Sequence, residues 1–174
     1  MKLRKKLGLW VALAATLIAP TACIDDPVDA LDDVLVINSR IPDFSVEMSN
    51  GERVSGADLR KQTSVIVFFH TSCPDCQQVL PLIQQLYDVY AEQGVAFALI
   101  SRAETAPSIE GFWSEKNLSM PYSAQDDNDI YELFARRRVP RVYVTSSNGV
   151  IKHIFTDNPL PTFEQLEGAV QSQL

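Results

Sequence analysis

The chain has 174 residues, 46% of them hydrophobic and 21% charged, with 22 acidic against 15 basic side chains and a formal net charge of −7. That length and balance support one folded domain with a sizeable core and exclude a low-complexity or disordered chain. The acidic excess argues against nucleic acid or an anionic membrane surface as the principal partner.

The first segment reads as a targeting signal. Met1–Ala22, MKLRKKLGLWVALAATLIAPTA, sets Lys2, Arg4, Lys5 and Lys6 ahead of an apolar stretch from Leu7 to Ala19, followed by small residues. This is the layout of a secretory signal peptide. The apolar stretch is short for a membrane span, and an uncleaved anchor helix is the alternative. Its end, LIAPTAC, resembles a bacterial lipobox, with Pro20 where an aliphatic residue is usual. The resemblance implies that Cys23 carries lipid, each buried CH₂ contributing about 0.8 kcal/mol to anchoring. A free thiol and a disulfide partner are the other readings of Cys23. Removing the four basic residues of the signal from 15 leaves 11 against 22 acidic, a net charge of −11. IDDPVDALDD follows, with Asp25, Asp26, Asp29, Asp32 and Asp33. Residues 23–39 therefore read as a lipid-anchored acidic linker. The aspartates also resemble the surface-export signal of lipoproteins in some Gram-negative anaerobes. These features place the protein in the cell envelope, as an outer-membrane lipoprotein on the periplasmic or the outer face.

Residues 40–174 carry the fold. RIPDFSVEMSNGERVSGADL holds two short extended stretches about Asn50-Gly51, a hairpin pair in which both positions need positive φ. Ser64–Phe69, SVIVFF, is a continuous β-branched and aromatic run, as a strand buried on both faces requires. A helix follows over about Pro74–Gln93, its apolar face made by Cys76, Val79, Leu80, Ile83, Leu86, Tyr87 and Tyr90. Pro81 lies inside it and Gly94 ends it. Val95–Ser101 is a second buried strand, completing a right-handed βαβ unit. APSIEGFWSEKNL and DNDIYELFARRR read as two further helices. RVYVTSSNGVIKHIF reads as a hairpin turning at Asn148-Gly149. In the tail, Thr162 and Gln165 form a capping box ahead of an apolar stripe of Phe163, Leu166, Val170 and Leu174. The class is α/β, with a mixed central sheet flanked by helices, an added N-terminal hairpin and a central helical insertion.

The chemistry concentrates at Cys73-Pro74-Asp75-Cys76, where the first buried strand meets the first long helix. A thiol attacks a disulfide as thiolate, and a helix N-terminus stabilises negative charge. Cys73 falls at the N-cap, and Pro74 suits the first helical position, where its missing N–H is no loss. Cys76 lies one turn deeper on the apolar face. Cys73 is then the exposed nucleophile and Cys76 the sheltered resolving thiol. Two other readings compete. A structural zinc site lacks a second ligand pair, since the histidines are His70 and His153 alone. A purely structural disulfide closing so small a loop removes little chain entropy. No metal or cofactor is expected.

These residues resemble the thioredoxin family. The junction FFHTSCPDC matches, as does Pro81 after the second cysteine and Val139-Pro140 just before RVYV. The opening IPDFSVEMSNGERVSGADL is similar to the TlpA-like and AhpC/TSA-like envelope branch, which carries the added hairpin and the helical insertion. The resemblance runs from about Arg40 to the C-terminus. It implies a thiol-disulfide oxidoreductase acting on protein disulfides or dithiols with a membrane redox partner. It also implies a cis Val139–Pro140 bond facing the dithiol, with the backbone of Val139 docking substrate by strand pairing. Ser72 stands where the family has tryptophan, Val67 where thioredoxins have a buried acid, and Val79 where some envelope reductases have glutamate. The usual proton relay to Cys76 is thus not supplied by these positions. The peroxidase pattern Pro-x-x-x-Thr-x-x-Cys is absent from the sequence.

Neighbouring residues carry paired readings. His70 acts as a cation or proton shuttle beside Cys73, or is a hydrogen-bonded strand end. Asp75, between the cysteines, opposes thiolate formation and tilts the couple towards reductase rather than strong oxidase. Arg136, Arg137 and Arg138 form a cationic rim, with Arg138 tuning the site, or are solvated charges complementing a helix end. The alternative function is a redox-inert thioredoxin-like binding module held at the membrane.

Overall fold

The computed structural model describes residues 32–174. The signal segment, Cys23, Asp25, Asp26 and Asp29 lie outside the described residues.

Two short antiparallel strands, β1 (Ser45–Glu47) and β2 (Arg53–Ser55), form the added hairpin, and a single helical turn, α1 (Gly56–Leu59), follows. The hairpin closes differently from the expectation. Gly51 takes a φ of 84° but Asn50 does not, and the Met48 amide donates to the Glu52 carbonyl at 2.8 Å, so the loop exceeds two residues.

β3 (Ser64–Phe69), α2 (Pro74–Tyr90) and β4 (Ala96–Ser101) make the βαβ unit. β3 and β4 pair in parallel from Ser64 opposite Ala96 to Phe69 opposite Ser101, so their C-terminal ends lie side by side. α2 continues through Pro81 and passes into a 3-10 turn, Ala91–Gln93, stopped by Gly94 at φ 87°. That left-handed position suits glycine, which has no Cβ to clash. The chain then forms α3 (Ala106–Lys116), a two-residue strand β5 (Tyr122–Ser123), α4 (Asp129–Glu132), β6 (Arg141–Thr145), β7 (Ile151–Phe155) and α5 (Phe163–Gln171). The five-stranded sheet runs β5-β4-β3-β6-β7, parallel on the β4 and β5 side and antiparallel through β6 and β7. This is a mixed α/β sheet flanked by helices, as expected.

Side chains of β3 alternate between two cores, because successive residues of a strand point to opposite faces. Val65, Val67 and Phe69 pack with Val79, Ile83, Leu86, Trp113 and Leu166, contributed by α2, α3 and α5. Ile66 and Phe68 pack on the opposite face with Tyr131, Phe134, Tyr143, Ile151 and the hairpin residue Val46. α5 opens on the expected capping box of Thr162 and Gln165 and buries Leu166 and Val170. Leu174 does not join that stripe: the helix ends at Gln171, and Leu174 is 65% exposed.

The expected helix over DNDIYELFARRR is one turn, Asp129–Glu132. Its backbone is engaged elsewhere. The Val34 and Leu35 amides both donate to the Phe134 carbonyl, at 3.1 and 3.0 Å, and the Arg136 amide donates to the Asp32 carbonyl at 2.8 Å. The N-terminal segment thus takes hydrogen bonds that a longer helix would have made internally. Asp32 and Asp33, expected among the solvated charges of the linker, lie against the domain instead. Asp32 is buried and its carboxylate meets Arg137 and Arg138, while Asp33 meets the fully buried Arg141. A buried charge needs such a partner.

Candidate functional site

The site forms at the C-terminal ends of β3 and β4, where the parallel pair opens and α2 begins. Cys73 is the N-cap of α2, with extended backbone angles (φ −82°, ψ 119°), and Pro74 occupies the first turn. The Cys73 amide donates to the His70 carbonyl at 3.0 Å, and the Gln77 amide donates to the Cys73 carbonyl at 3.0 Å. This tight turn delivers the Cys73 side chain to the surface, where it is half-buried. Cys76, one turn on, is 0% exposed and packs in the core beneath. Both are free thiols. Burial pushes the Cys76 thiol far above its ordinary value, and the neighbouring Cys73 and Asp75 charges act in the same direction. A hydrogen bond from the His70 backbone opposes them. Cys76 is therefore held as a neutral thiol.

That shift has a direction in pH. A thiol whose pKa is raised by folding contributes stability that is intact below its unfolded value, 9.0, and lost as pH rises beyond it. In reduced protein, Cys73→Ser should lose stability relative to Cys73→Ser/Cys76→Ala as pH is raised above about 9. Denaturant unfolding of both variants across that range reads the difference, and a pH-independent difference would contradict it. Tyr122, Tyr131 and Tyr143, also shifted up by burial, cancel in the comparison.

Val139 faces Cys73. The Cys73 thiol donates to the Val139 carbonyl at 3.3 Å, and the Val139–Pro140 peptide is cis. The approach to this segment is held from behind: Arg138 has a φ of 68°, and its carbonyl accepts from the Tyr131 hydroxyl at 2.6 Å. The Arg138 side chain reaches Asp32 at 3.2 Å and Asp157 at 3.9 Å, and Arg137 reaches Asp32 at 2.7 Å. These two guanidiniums are paired with acids of the domain, so the free cationic rim pictured for them is not what the fold forms.

His70 closes the other side. Its Nδ1 accepts from the Ser72 amide at 3.2 Å and lies 2.9 Å from the Ser72 hydroxyl. Nδ1 also lies 3.8 Å from the Glu104 carboxylate.

Glu104 is the residue that sequence reasoning missed. It is buried in the loop after β4, and its carboxylate accepts from the Thr71 amide at 2.8 Å and from the Thr71 hydroxyl. The Thr71 carbonyl in turn accepts from the Gln77 side chain at 2.8 Å. One carboxylate thus ties the loop after β4 to the turn that presents Cys73. With Val67 and Val79 apolar, the acid beside this site arrives from a different strand end. The available signal was an acidic residue just beyond a strand whose last four residues are buried.

A cavity of about 350 Å³ adjoins Cys73, lined by His70, Arg102, Ala103, Asn128 and Val139. A larger groove of about 430 Å³, among Val36, Ile37, Phe155 and Pro159, includes neither cysteine. The chemistry belongs to the smaller one. No helix among the described residues is long and apolar enough to cross a membrane.

The AhpC/TSA family model matches residues 37–154. Over 138 residues the chain is 25% identical to the thiol-disulfide oxidoreductase ResA of Geobacillus kaustophilus, covering 79% of this chain and 78% of that protein. Among solved structures, a thiol:disulfide interchange protein of the thioredoxin family from Chlorobium tepidum superposes with a TM-score of 0.68 at 19% identity, covering 80% of this chain and 98% of that one. A secreted disulfide oxidoreductase of Mycobacterium tuberculosis superposes with a TM-score of 0.65 at 21% identity, covering 74% and 95%. The fold is thioredoxin-like, and the chain belongs to the AhpC/TSA family as a thiol-disulfide oxidoreductase.

Proposed function

We propose that this protein reduces disulfides of envelope or extracellular proteins through the Cys73/Cys76 dithiol, held to the membrane by lipid on Cys23. The observation that carries the reading is the contrast between the two thiols: Cys73 half-exposed at a helix start, Cys76 fully buried one turn deeper. The Cys73 thiolate attacks one sulfur of the substrate disulfide. That bond breaks, a Cys73–substrate disulfide forms, and the other substrate sulfur leaves as a thiolate. Cys76 then gives its proton to the substrate thiolate released in the first exchange and attacks the Cys73 sulfur. The substrate's second thiolate is released, and the Cys73–Cys76 disulfide carries away the two electrons' worth of oxidation. A membrane dithiol partner returns the pair to the reduced state. In this scheme the carbonyl of Val139 marks the edge where an extended substrate pairs, and Pro140 shapes it.

The direction rests on Asp75. An acid in the first turn, half-buried and between the two cysteines in sequence, disfavours negative charge on Cys76, and burial keeps Cys76 protonated. A reduced form without strong thiolate stabilisation makes a weak oxidant and a better reductant. The anchor rests on the lipobox-like LIAPTAC and the basic, apolar segment before it. Equilibration against thiol buffers tests the direction, with a reduction potential below about −200 mV expected; a value near about −120 mV would make the protein an oxidant. Fractionation of cells carrying Cys23→Ala tests the anchor, which predicts release of the protein from membranes; retention would point to an uncleaved signal segment.

A further inference from the structure

Arg102 brings a positive charge to the cavity beside Cys73 in an acidic protein. It lies at the end of β4, its amide donating to the Phe69 carbonyl at 2.8 Å, which sets it beside the start of the Cys73 turn. Its guanidinium rests over the Tyr131 ring, 4.5 Å from the centroid. Among the described residues no carboxylate forms an ion pair with it. The nearby acids are otherwise engaged: Glu104 holds Thr71, and Asp127 accepts from the Asp129 amide at 3.0 Å. Arg102 also lines the cavity that Cys73 and Val139 share, and no acidic residue lines it. A guanidinium is charged at every relevant pH, and stacking on an aromatic ring fixes its plane and leaves its edge donors free. In a half-buried pocket such a donor set fits a carboxylate.

We infer that Arg102 is a specificity residue: it selects disulfides that carry a carboxylate next to the sulfur attacked by Cys73. The ligand class is a substrate peptide with an acidic side chain flanking its cysteine. This rests on Cys73 being the attacking sulfur. The pocket reaches the incoming substrate between Val139, which aligns its backbone, and Arg102, which takes its acidic group. Asn128 and His70, which line the same cavity, add hydrogen-bonding capacity. The bland alternative is that Arg102 only covers Tyr131, a role its aliphatic stem and a methionine would fill equally.

The test compares two small disulfides on the reduced protein: 5,5′-dithiobis(2-nitrobenzoate), which carries a ring carboxylate meta to each sulfur, and neutral 4,4′-dithiodipyridine. Arg102→Met should slow the anionic reagent about five- to tenfold and change the neutral one less than about twofold, with Arg102→Lys between. Any general change in the Cys73 thiolate moves both rates together, so the ratio isolates the carboxylate contact. Mixed-disulfide peptides with Glu or Gln beside the cysteine, run alongside oxidised glutathione, separate a protein side chain from a small carboxylate-bearing disulfide as the source. A ratio equal in wild type and Arg102→Met overturns the inference while leaving the dithiol reading intact. A neutral reagent that reacts as fast with Cys73→Ser as with wild type overturns the dithiol reading itself.

Discussion

Cys73→Ser should abolish disulfide reduction, lowering turnover of a disulfide-bonded protein substrate at least about 10³-fold, because among the described residues the remaining thiol, Cys76, is fully buried. The fold should survive, since Cys73 is half-buried and its side chain makes one hydrogen bond, to Val139. Cys76→Ser should behave differently. Its Cys73 still attacks, but the mixed disulfide has no internal thiol to release it. That variant should accumulate a covalent adduct visible by mass spectrometry under non-reducing conditions. The asymmetry follows from burial: Cys76 is 0% exposed, so external disulfides cannot reach it. In the wild type, alkylation after mild reduction should modify Cys73 well before Cys76. Cys76 modified first, or Cys73→Ser turning over at the wild-type rate, would remove the basis for the assigned roles. Equal and negligible rates for wild type and Cys73→Ser would favour the tethered binding module.

The second large effect concerns stability. Asp33→Ala should lower the melting temperature by about 10 °C. Arg141 is 1% exposed, and two of its nitrogens donate to the Arg137 carbonyl at 3.2 and 3.1 Å while a third meets Asp33. Burial disfavours its charge, and Tyr143, Asp33 and Tyr131 outweigh that. Removing Asp33 leaves a buried cation short of its counter-charge, a defect that costs about 3–5 kcal/mol. Asp33 is itself 15% solvent-exposed on its side chain, which sets the cost near about 3 kcal/mol, or about 10 °C for a domain of this size. Asp33→Ala/Arg141→Met should recover part of the loss, because an apolar pair carries no desolvation debt. The neighbouring Asp32 makes a weaker case: its Oδ1 lies 2.7 Å from Arg137 but out of hydrogen-bond alignment, and that guanidinium is largely exposed. A chain beginning at Arg40 should melt at least as low as Asp33→Ala, whereas one beginning at Leu31 should match the wild type. Thermal unfolding by circular dichroism reads all four, and an unchanged midpoint in Asp33→Ala would refute the clamp.

This clamp shows where reading along the chain stops working. Five aspartates in ten residues look like a solvated tether, and nothing local marks the last two as different. What distinguishes Asp32 and Asp33 is that Arg137, Arg138 and Arg141 lie opposite them once β6 pairs with β3. The same pairing shortens the helix expected over DNDIYELFARRR, because Phe134 and Arg136 spend backbone groups on the N-terminal segment. Elements with strong local signals fared better. β3 is, after Ser64, a continuous run of β-branched and aromatic residues, and it needs no partner information to be read as buried. The capping box at Thr162 is a contact within three residues, and it forms as expected.

The sequence by itself determined the dithiol and its setting: a buried strand, a cysteine at the N-cap, proline after it and a second cysteine on the apolar face. Those features lie within one helical turn, where spacing alone dictates geometry. Only the tertiary structure decided what surrounds Cys73. Glu104 reaches the turn that presents it, and Arg102 its cavity, because β4 pairs in parallel with β3, and Val139 reaches it because β6 pairs antiparallel on the other side. Which charges meet, and which stay unmatched, depends on strand register and burial, and neither is encoded in the distance along the chain.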